Sequence, residues 1–544
     1  MTRRRAATRA ALAAIVVAAA ALRLSGLGFG LPLTAAHPDE SRVNAEAIAV
    51  ASGTLRPSFF NYPSLFMYAL GAADVAYCAA RTASGGAASI ADCLAGWRTA
   101  WEPFFLAARL LSAAAGTTTV VLVYLLGARL FDRLTGVAAS ALLAVAFLHV
   151  RDSHFGVTDV AMTMMLVLAL LTVVRAHDRA GEDGRRVAAF ALAGLVAGLA
   201  AATKYNAVLV AASAAVAIAS LWRSEQGSGG RHARALRRAA AWSAALAAGF
   251  AAGTPYALAE PGRFWRDASA EALHLQAGHA INLGIGWTYH FAVTLRHGVT
   301  IPMLAAGLAR AVWMAWTRPR RAALLLAFPL VYYCVAGRGY TVFARYMVPI
   351  VPFVALAAGY LAASLARAVS VAVPRLPSPL TCGAFVALFG VASAVKAVQL
   401  DRLLGRTDSR VLAADWMMAN AVPPASIYIS GSHYGRPDIG RREPVQPYTI
   451  VELRDGVFMD ARGSAIDRPD WIVIQESPLS AYSSIPVEAA ALLPGYRLVQ
   501  TFRASDPGRP QVYDQQDAFF VPLSGFEGVG RPGPSFRIYR RARE

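Results

Sequence analysis

The sequence predicts a polytopic α-helical membrane protein of about 11 transmembrane helices, followed by a C-terminal extracytoplasmic α/β domain. Three observations carry this. The 544 residues are 56% hydrophobic and 16% charged, with a mean hydropathy of +0.43; soluble domains carry about 25% charged residues. Apolar runs that can supply the roughly 20 residues of a bilayer span, the first with its flanks, recur at 11–22, 107–130, 187–222 and 346–366. Arginines gather in short segments between those runs, at 2–5, 175–186, 222–238 and 317–321, as the excess of basic residues in cytoplasmic loops demands. The strands of a membrane barrel alternate in polarity and would not produce such continuous runs. A net charge of +19 admits nucleic-acid binding, but its placement between spans argues for a membrane partner and no nucleic acid.

With the N-terminus inside, helix 1 (9–27) exits, and a long outer segment follows to about 103. The first run has the order of a signal peptide, with basic residues, an apolar core and small residues. It is read as an uncleaved first helix, because cleavage would strip the anchor just before an acidic pair. Helices 2 (104–130), 3 (135–150) and 4 (158–175) follow. Helices 5 and 6 form a hairpin around "TKYN" (203–206), with the Gly/Ser-rich 225–230 as a flexible loop. Helix 7 (239–258) exits to an outer segment, 259–297, rich in His and aromatics. Helices 8 (298–316), 9 (322–336), 10 (346–366) and 11 (380–398) complete the membrane part, residues 1–400. Their parity places 401–544 outside the plasma (inner) membrane. That tail carries strand-like runs at 425–430, 470–475, 496–502 and 535–541, and helical spacing at 409–422, which reads as a small α/β domain.

Four cysteines show no metal-ligand spacing. Cys78 and Cys93 fall in the outer segment, where a disulfide is permitted; the pairing is left open. Cys334 and Cys382 lie in apolar runs and read as packing residues.

Ionisable residues concentrate where spans meet the outer side: His37, Asp39, Glu40 and Arg42 in "HPDESR"; Arg151, Asp152, His154 and Asp159 in "RDSHFGVTD"; Glu271, His274, His279, Tyr289 and His290; and Arg338, Tyr340, Arg345 and Tyr346 in "GRGYTVFARYMVP". Charge at a membrane boundary is costly and points to function. Plainer roles are available to each. Asp39 and Glu40 suit the first turn of a helix, Asp159 suits an N-cap, the arginines can snorkel, and the histidines match no zinc spacing. What favours chemistry is that carboxylates and arginines pool on one side. A carboxylate can take a proton from a nucleophile, and arginines grip phosphate through forked donors. That combination suits group transfer from a lipid phosphate whose tail stays in the bilayer.

"HPDESRVNAEAIAVASG" with "FFNYPSLFMY" resembles the opening of the polyprenyl-phosphate-dependent glycosyltransferases of GT-C fold. These include the protein O-mannosyltransferases, the aminoarabinose transferases and the bacterial glycosyltransferase 39 group. "ARLLSAAAG" (108–116), "TD" at 158–159, "TKYN", "F-x-RY-x-x-P-x-x-P" (343–352) and "DSRVLAADWMMANAVPPAS" (408–426) match in the same order. The resemblance implies Asp39 as the essential carboxylate, the base that deprotonates the acceptor, with Glu40 beside it, Asp159 as a second acid, and Arg345 at the donor phosphate. Arg338, Tyr62 and Tyr346 are further phosphate-side candidates. Arg42, His154, Lys204, His279 and Tyr289 are substrate-side candidates. Aminoarabinose transferases carry a Lys where "NYPSL" has Tyr62, so phosphate binding here leans on other cations. The tail is unlike the lumenal repeat domain of protein O-mannosyltransferases, and no protein acceptor is inferred.

The expected reaction is an inverting transfer from a polyprenyl-phosphate sugar, with no obligatory cofactor and no metal ligands assigned. The rival is a transporter or flippase of a lipid-linked sugar. That would put ionisable groups near the bilayer midplane, whereas the helix centres are mostly Ala, Leu and Val.

Overall fold

A computed structural model describes residues 2–179, 183–227, 229–440 and 446–542. The basic segments 175–186 and 222–238 and the Gly/Ser-rich 225–230 run beyond these limits at 180–182 and 228, as does the N-terminal basic run at its first side chains; those parts lie outside the described residues. The chain forms two compact units. One comprises 1–25, 43–95 and 104–398; the other comprises 26–42, 96–103 and 399–544. The second unit thus takes in two stretches of the first loop as well as the tail.

Helices stand at all eleven expected positions: α1 (Thr2–Leu24), α2 (Glu102–Leu130), α3 (Arg133–Val145), α4 (Thr158–His177), α5 (Asp183–Thr203), α6 (Tyr205–Ser224), α7 (Arg231–Gly253), α8 (Ile301–Thr317), α9 (Pro319–Ala336), α10 (Ala344–Ala372) and α11 (Ser378–Leu404). Among the described residues, seven helices are long and apolar enough to cross a membrane: α1, α2, α4, α5, α6, α10 and α11 with its continuation. An eighth is added if Gly286–Gly298 and α8, bent by 118°, form one span. The protein is a multi-pass membrane protein. α3 is short, and α7 opens on Arg231, Arg234, Arg237 and Arg238.

Two expected helices are broken inside their expected bounds. α3 stops at Val145 because Ala146 turns extended, and the chain restarts as Phe147–Asp152. The expected 298–316 helix is broken at Thr300, whose φ is +69°. Pro302 has no N–H to donate back to the Gly298 carbonyl, so one helical bond is lost here, and Pro302 sits instead in the first turn of α8, where its missing N–H costs nothing. Cys334 is exposed rather than packed; it shares an outward apolar stripe of α9 with Leu330, Val331 and Val335. Cys382 is buried.

α5 and α7 approach through small residues. "GLVAG" (194–198) and "GFAAG" (249–253) each place glycines one turn apart. A Cβ on Gly194 would strike the Trp242 carbonyl, one on Gly198 the Leu246 carbonyl, and one on Gly249 the Leu195 carbonyl. Where lipid is as apolar as the side chains, such close backbone contact supplies the helix–helix attraction. Gly198→Leu should therefore destabilise the protein by about 1–3 kcal/mol, read as a lower unfolding temperature in detergent, while Gly383→Leu, on open ground in α11, should leave it unchanged.

Between α1 and α2, helices Glu40–Ala49, Leu65–Ala83 and Ile90–Ala95 fill the first loop. Cys78 and Cys93 are disulfide-bonded, with Cα atoms 5.5 Å apart. Asp74, on Leu65–Ala83, is fully buried with neither carboxylate oxygen hydrogen-bonded. Burial pushes its carboxyl up from 3.8 to about 7. The folded chain then holds this proton at pH values where the unfolded chain has lost it. Stability should fall as pH rises from about 4 to about 7 and level off above, and Asp74→Asn should flatten that fall in a pH series of thermal melts.

Among the described residues the second unit contains a six-stranded sheet: β1 (Ser426–Ile429), β2 (Thr449–Arg454), β3 (Val457–Met459), β4 (Trp471–Glu476), β5 (Tyr496–Phe502) and β6 (Ser535–Arg541), in the order β3-β2-β1-β4-β6-β5. β1 is parallel to β2 and β4, and β6 is antiparallel to β4 and β5. Side chains alternate faces along a strand, so β4 sends Trp471 and Val473 into one core and Ile472 and Ile474 into another. The first core is closed by Ala413 and Met417 of Ser409–Asn420, the second by Ala489 of Val487–Leu492. Coverage of both faces explains why "WIVI" is uniformly apolar.

Candidate active site

In the first unit the site grows from the break between α5 and α6. Lys204 adopts an extended backbone (φ −156°, ψ 132°) that ends α5 and swings its side chain across to α4. Its Nζ lies 2.6 Å from Asp159 Oδ1, and both residues are buried. Asp159 occupies the first turn of α4, where the helix dipole favours an anion. "RLLS" steadies this corner, since Ser112 Oγ donates to the Val157 carbonyl at 3.3 Å.

Two tyrosines flank the ammonium. Lys204 Nζ is 5.7 Å from the Tyr62 ring and 5.6 Å from the Tyr346 ring, within cation–π range. The Tyr62 loop is held from both sides: Tyr205 Oη donates to the Phe60 carbonyl at 2.7 Å, and the Phe60 N–H donates to Asp267 at 3.0 Å. Tyr346 belongs to a 3₁₀ turn, Ala344–Ile350, at the start of α10. Pro349 and Pro352 remove the donors that an α-helix would aim at the Arg345 and Val348 carbonyls, so the turn tightens. The Tyr332 hydroxyl then donates to the Tyr346 carbonyl at 2.8 Å and accepts from Asn206 Nδ2 at 3.4 Å.

Arg345 is buried, its guanidinium 4.1 Å from the Phe343 ring centre. Phe343 packs edge-on against Tyr346 at 5.6 Å and lies 5.1 Å from the His279 ring. The His-rich segment reaches this point because helix Pro261–Ala277 ends on the 339–341 loop: the Leu275 carbonyl accepts from the Tyr340 and Thr341 N–H groups at 3.0 and 3.1 Å. The structure therefore brings together Asp159, Lys204, Tyr62, Tyr346, Arg345 and His279.

Arg338 is exposed and makes no side-chain hydrogen bond or ion pair among the described residues. Tyr289 lies 6.2 Å, ring to ring, from buried His290. His154 has both ring nitrogens against backbone carbonyls, Val150 at 2.9 Å and Ser25 at 2.8 Å, an arrangement that ties the end of α1 to the 150–154 turn. Asp39, Glu40 and Arg42 belong to the second unit, where the His37 ring lies 3.9 Å from Asp517 and packs on Phe519. Arg410 holds this loop. It grips Asp408 through two bonds, of 2.9 and 2.7 Å, and donates to the Ala35 carbonyl at 3.3 Å and the Tyr434 carbonyl at 2.6 Å. Among the described residues no three His, Cys, Asp or Glu side chains converge as a metal site. Tyr332 was invisible as a site residue in the sequence, because it sits in an ordinary apolar run; Phe343 opens the "F-x-RY" stretch but drew no role of its own there.

The sequence profile of dolichyl-phosphate-mannose-protein mannosyltransferases matches residues 104–236. Among curated proteins none is significantly similar in sequence. Among solved structures, ArnT from Cupriavidus metallidurans bound to undecaprenyl phosphate superposes with a TM-score of 0.54 at 14% identity, over 82% of this chain and 86% of that one. The oligosaccharyltransferase of Archaeoglobus fulgidus gives 0.50 at 13% identity, over 78% of this chain and 62% of its own. The same archaeal enzyme, AglB, in complex with an inhibitory peptide and a dolichol-phosphate, gives 0.50 at 15% identity, over 79% and 63%. The chain shares their fold. It spans somewhat under two thirds of the archaeal enzyme and most of ArnT.

Removing Lys204 leaves the Asp159 carboxylate buried without its cation. Lys204→Met should cost about 3–5 kcal/mol in ligand-free thermal melts, and adding Asp159→Asn to it should restore most of the loss.

Proposed function

We propose that this protein is an extracytoplasmic-face glycosyltransferase of the plasma membrane that moves a sugar from a polyprenyl-phosphate donor to an acceptor, with inversion. The observation that carries the reading is the Lys204–Asp159 pair between Tyr62 and Tyr346, with the Phe343–Arg345 stack beside it. It is a cationic cluster at the ends of membrane helices, in a fold shared with a protein crystallised with undecaprenyl phosphate.

In the proposed reaction Asp39 accepts the proton of the acceptor hydroxyl or amine. The freed lone pair bonds to the anomeric carbon on the face opposite the phosphate. The bond from that carbon to the phosphate oxygen breaks, and its electron pair leaves with polyprenyl phosphate. Lys204 and Arg345 neutralise the departing charge, with Arg338 as an accessory cation; such neutralisation is often the largest catalytic contribution. Lys204 supplies from the α5–α6 break the ammonium that aminoarabinose transferases place at the position of Tyr62. Asp159 keeps that ammonium aimed, Glu40 supports Asp39, and Tyr62 and Tyr346 wall the phosphate. Arg42, His279 and Tyr289 are assigned to the substrate side, whereas His154, with both ring nitrogens against backbone carbonyls, is assigned to holding the 150–154 turn. No obligatory metal is invoked. Mostly apolar helix centres disfavour a transporter.

The test is radiolabel transfer from a panel of polyprenyl-phosphate sugars by purified protein. Asp39→Asn should lower turnover by about 10²–10⁴-fold with donor binding retained, while Arg345→Ala should weaken donor binding itself. Equal turnover by wild type and Asp39→Asn would remove Asp39 from the mechanism.

A further inference from the structure

The second unit contains a cleft of about 1490 Å³ that plays no part in the chemistry described above. It opens where β4 and β5 end and β6 begins, beside the segments 503–511 and 527–530. Those two segments are laced together by backbone bonds: Asp506 N–H to the Gly528 carbonyl and Gly530 N–H to the Ala504 carbonyl, each 2.8 Å. They form one wall, and the sheet ends form the other.

The lining is polar and charged. Arg406, Arg503, Arg509 and Arg537 face Glu476, Asp506 and Glu527, which leaves one positive charge in excess. Arg537 is paired with Glu476, Arg509 sits 3.7 Å from Asp506, and Arg406 donates to the Gly530 carbonyl at 2.6 Å. Arg503 is exposed and has no hydrogen bond or ion pair among the described residues. Its guanidinium is the cation left over for a ligand. Of the large apolar residues in the lining, Phe536 and Val529 are buried and Leu498 is exposed. A neutral sugar bound from water wants an aromatic face to stack on, and an apolar peptide side chain wants a hydrophobic pocket; the cleft presents neither. Carboxylates that accept from hydroxyls, arginines that donate to them, and one unpaired guanidinium together suit a polyhydroxylated anion.

We propose that this cleft binds an anionic saccharide, one bearing a carboxylate or a phosphate, through Arg503. Naming that saccharide as part of the acceptor rests on the transferase reading; the binding itself does not. The experiment is calorimetric titration of full-length protein in detergent, without donor, so that its outcome is independent of turnover. The probes are a galacturonic acid trimer, glucose 6-phosphate, maltotriose and a glutamate-rich peptide. The trimer or the sugar phosphate should bind, and which of the two binds tighter identifies the anion. Arg503→Ala should weaken that binding about tenfold, Arg503→Lys should retain most of it, and raising salt from about 0.05 M to about 0.5 M should weaken it further. Absence of anion binding, identical binding by Arg503→Ala, or equal affinity for maltotriose or for the peptide would each overturn the proposal.

Discussion

A helix that breaks inside a membrane protein leaves carbonyls and charges that no water will satisfy, and this chain meets that constraint with single cations. Arg23 is fully buried and donates to the Leu143 and Ala144 carbonyls where α3 ends, and to His149 Nδ1. Lys396, from α11, donates to the His297 carbonyl where Gly286–Gly298 ends, at 3.0 Å. Lys204 stands at the α5–α6 break and reaches Asp159. The only two lysines of the chain both serve helix breaks. Lysine suits this work because its single ammonium sits on a long apolar stem that packs among helices.

The broken ends are also where the polar cluster assembles. α5 carries Lys204 to α4, the 3₁₀ turn that opens α10 carries Tyr346 and Arg345, and helix Pro261–Ala277 delivers His279 to Phe343. Each of these elements departs from a regular helix for an identifiable local reason: an extended residue at Lys204, two prolines at 349 and 352, and Gly278, at φ +89°, after Ala277. The glycine-lined contact of α5 with α7 gives the rest of that hairpin a fixed seat.

In the second unit one side chain does comparable work. Arg410 closes an ion pair with Asp408, the N-cap of its own helix, and spends its remaining donors on the carbonyls of Ala35 and Tyr434. The loop that bears Asp39 and Glu40 is thereby built into the same unit as the sheet. "DSRVLAADW" reads in sequence as a helix start; in the fold it is also the fastening of the acidic loop.

Hydrophobic runs, arginine placement and strand-like alternation determined the membrane class, the positions of eleven helices and four of the six strands, because burial periodicity is written locally. β2 and β3 were not legible: "TIVELR" and "VFM" are short, partly exposed and flanked by charge, so only pairing with β1 and with each other makes them strands. Asp159, Lys204, Tyr62 and Arg345 stood out in the sequence as site candidates, since charge and tyrosine at span ends contrast with alanine and leucine. That Lys204 pairs with Asp159 between two tyrosines was not legible. Residues 62, 159, 204 and 346 are far apart along the chain, and the break angles and glycine contacts that bring them together come from packing between helices, which no local pattern records. The tertiary structure alone decided which cation stands beside Tyr62, and it did so because a buried carboxylate requires a partner within reach.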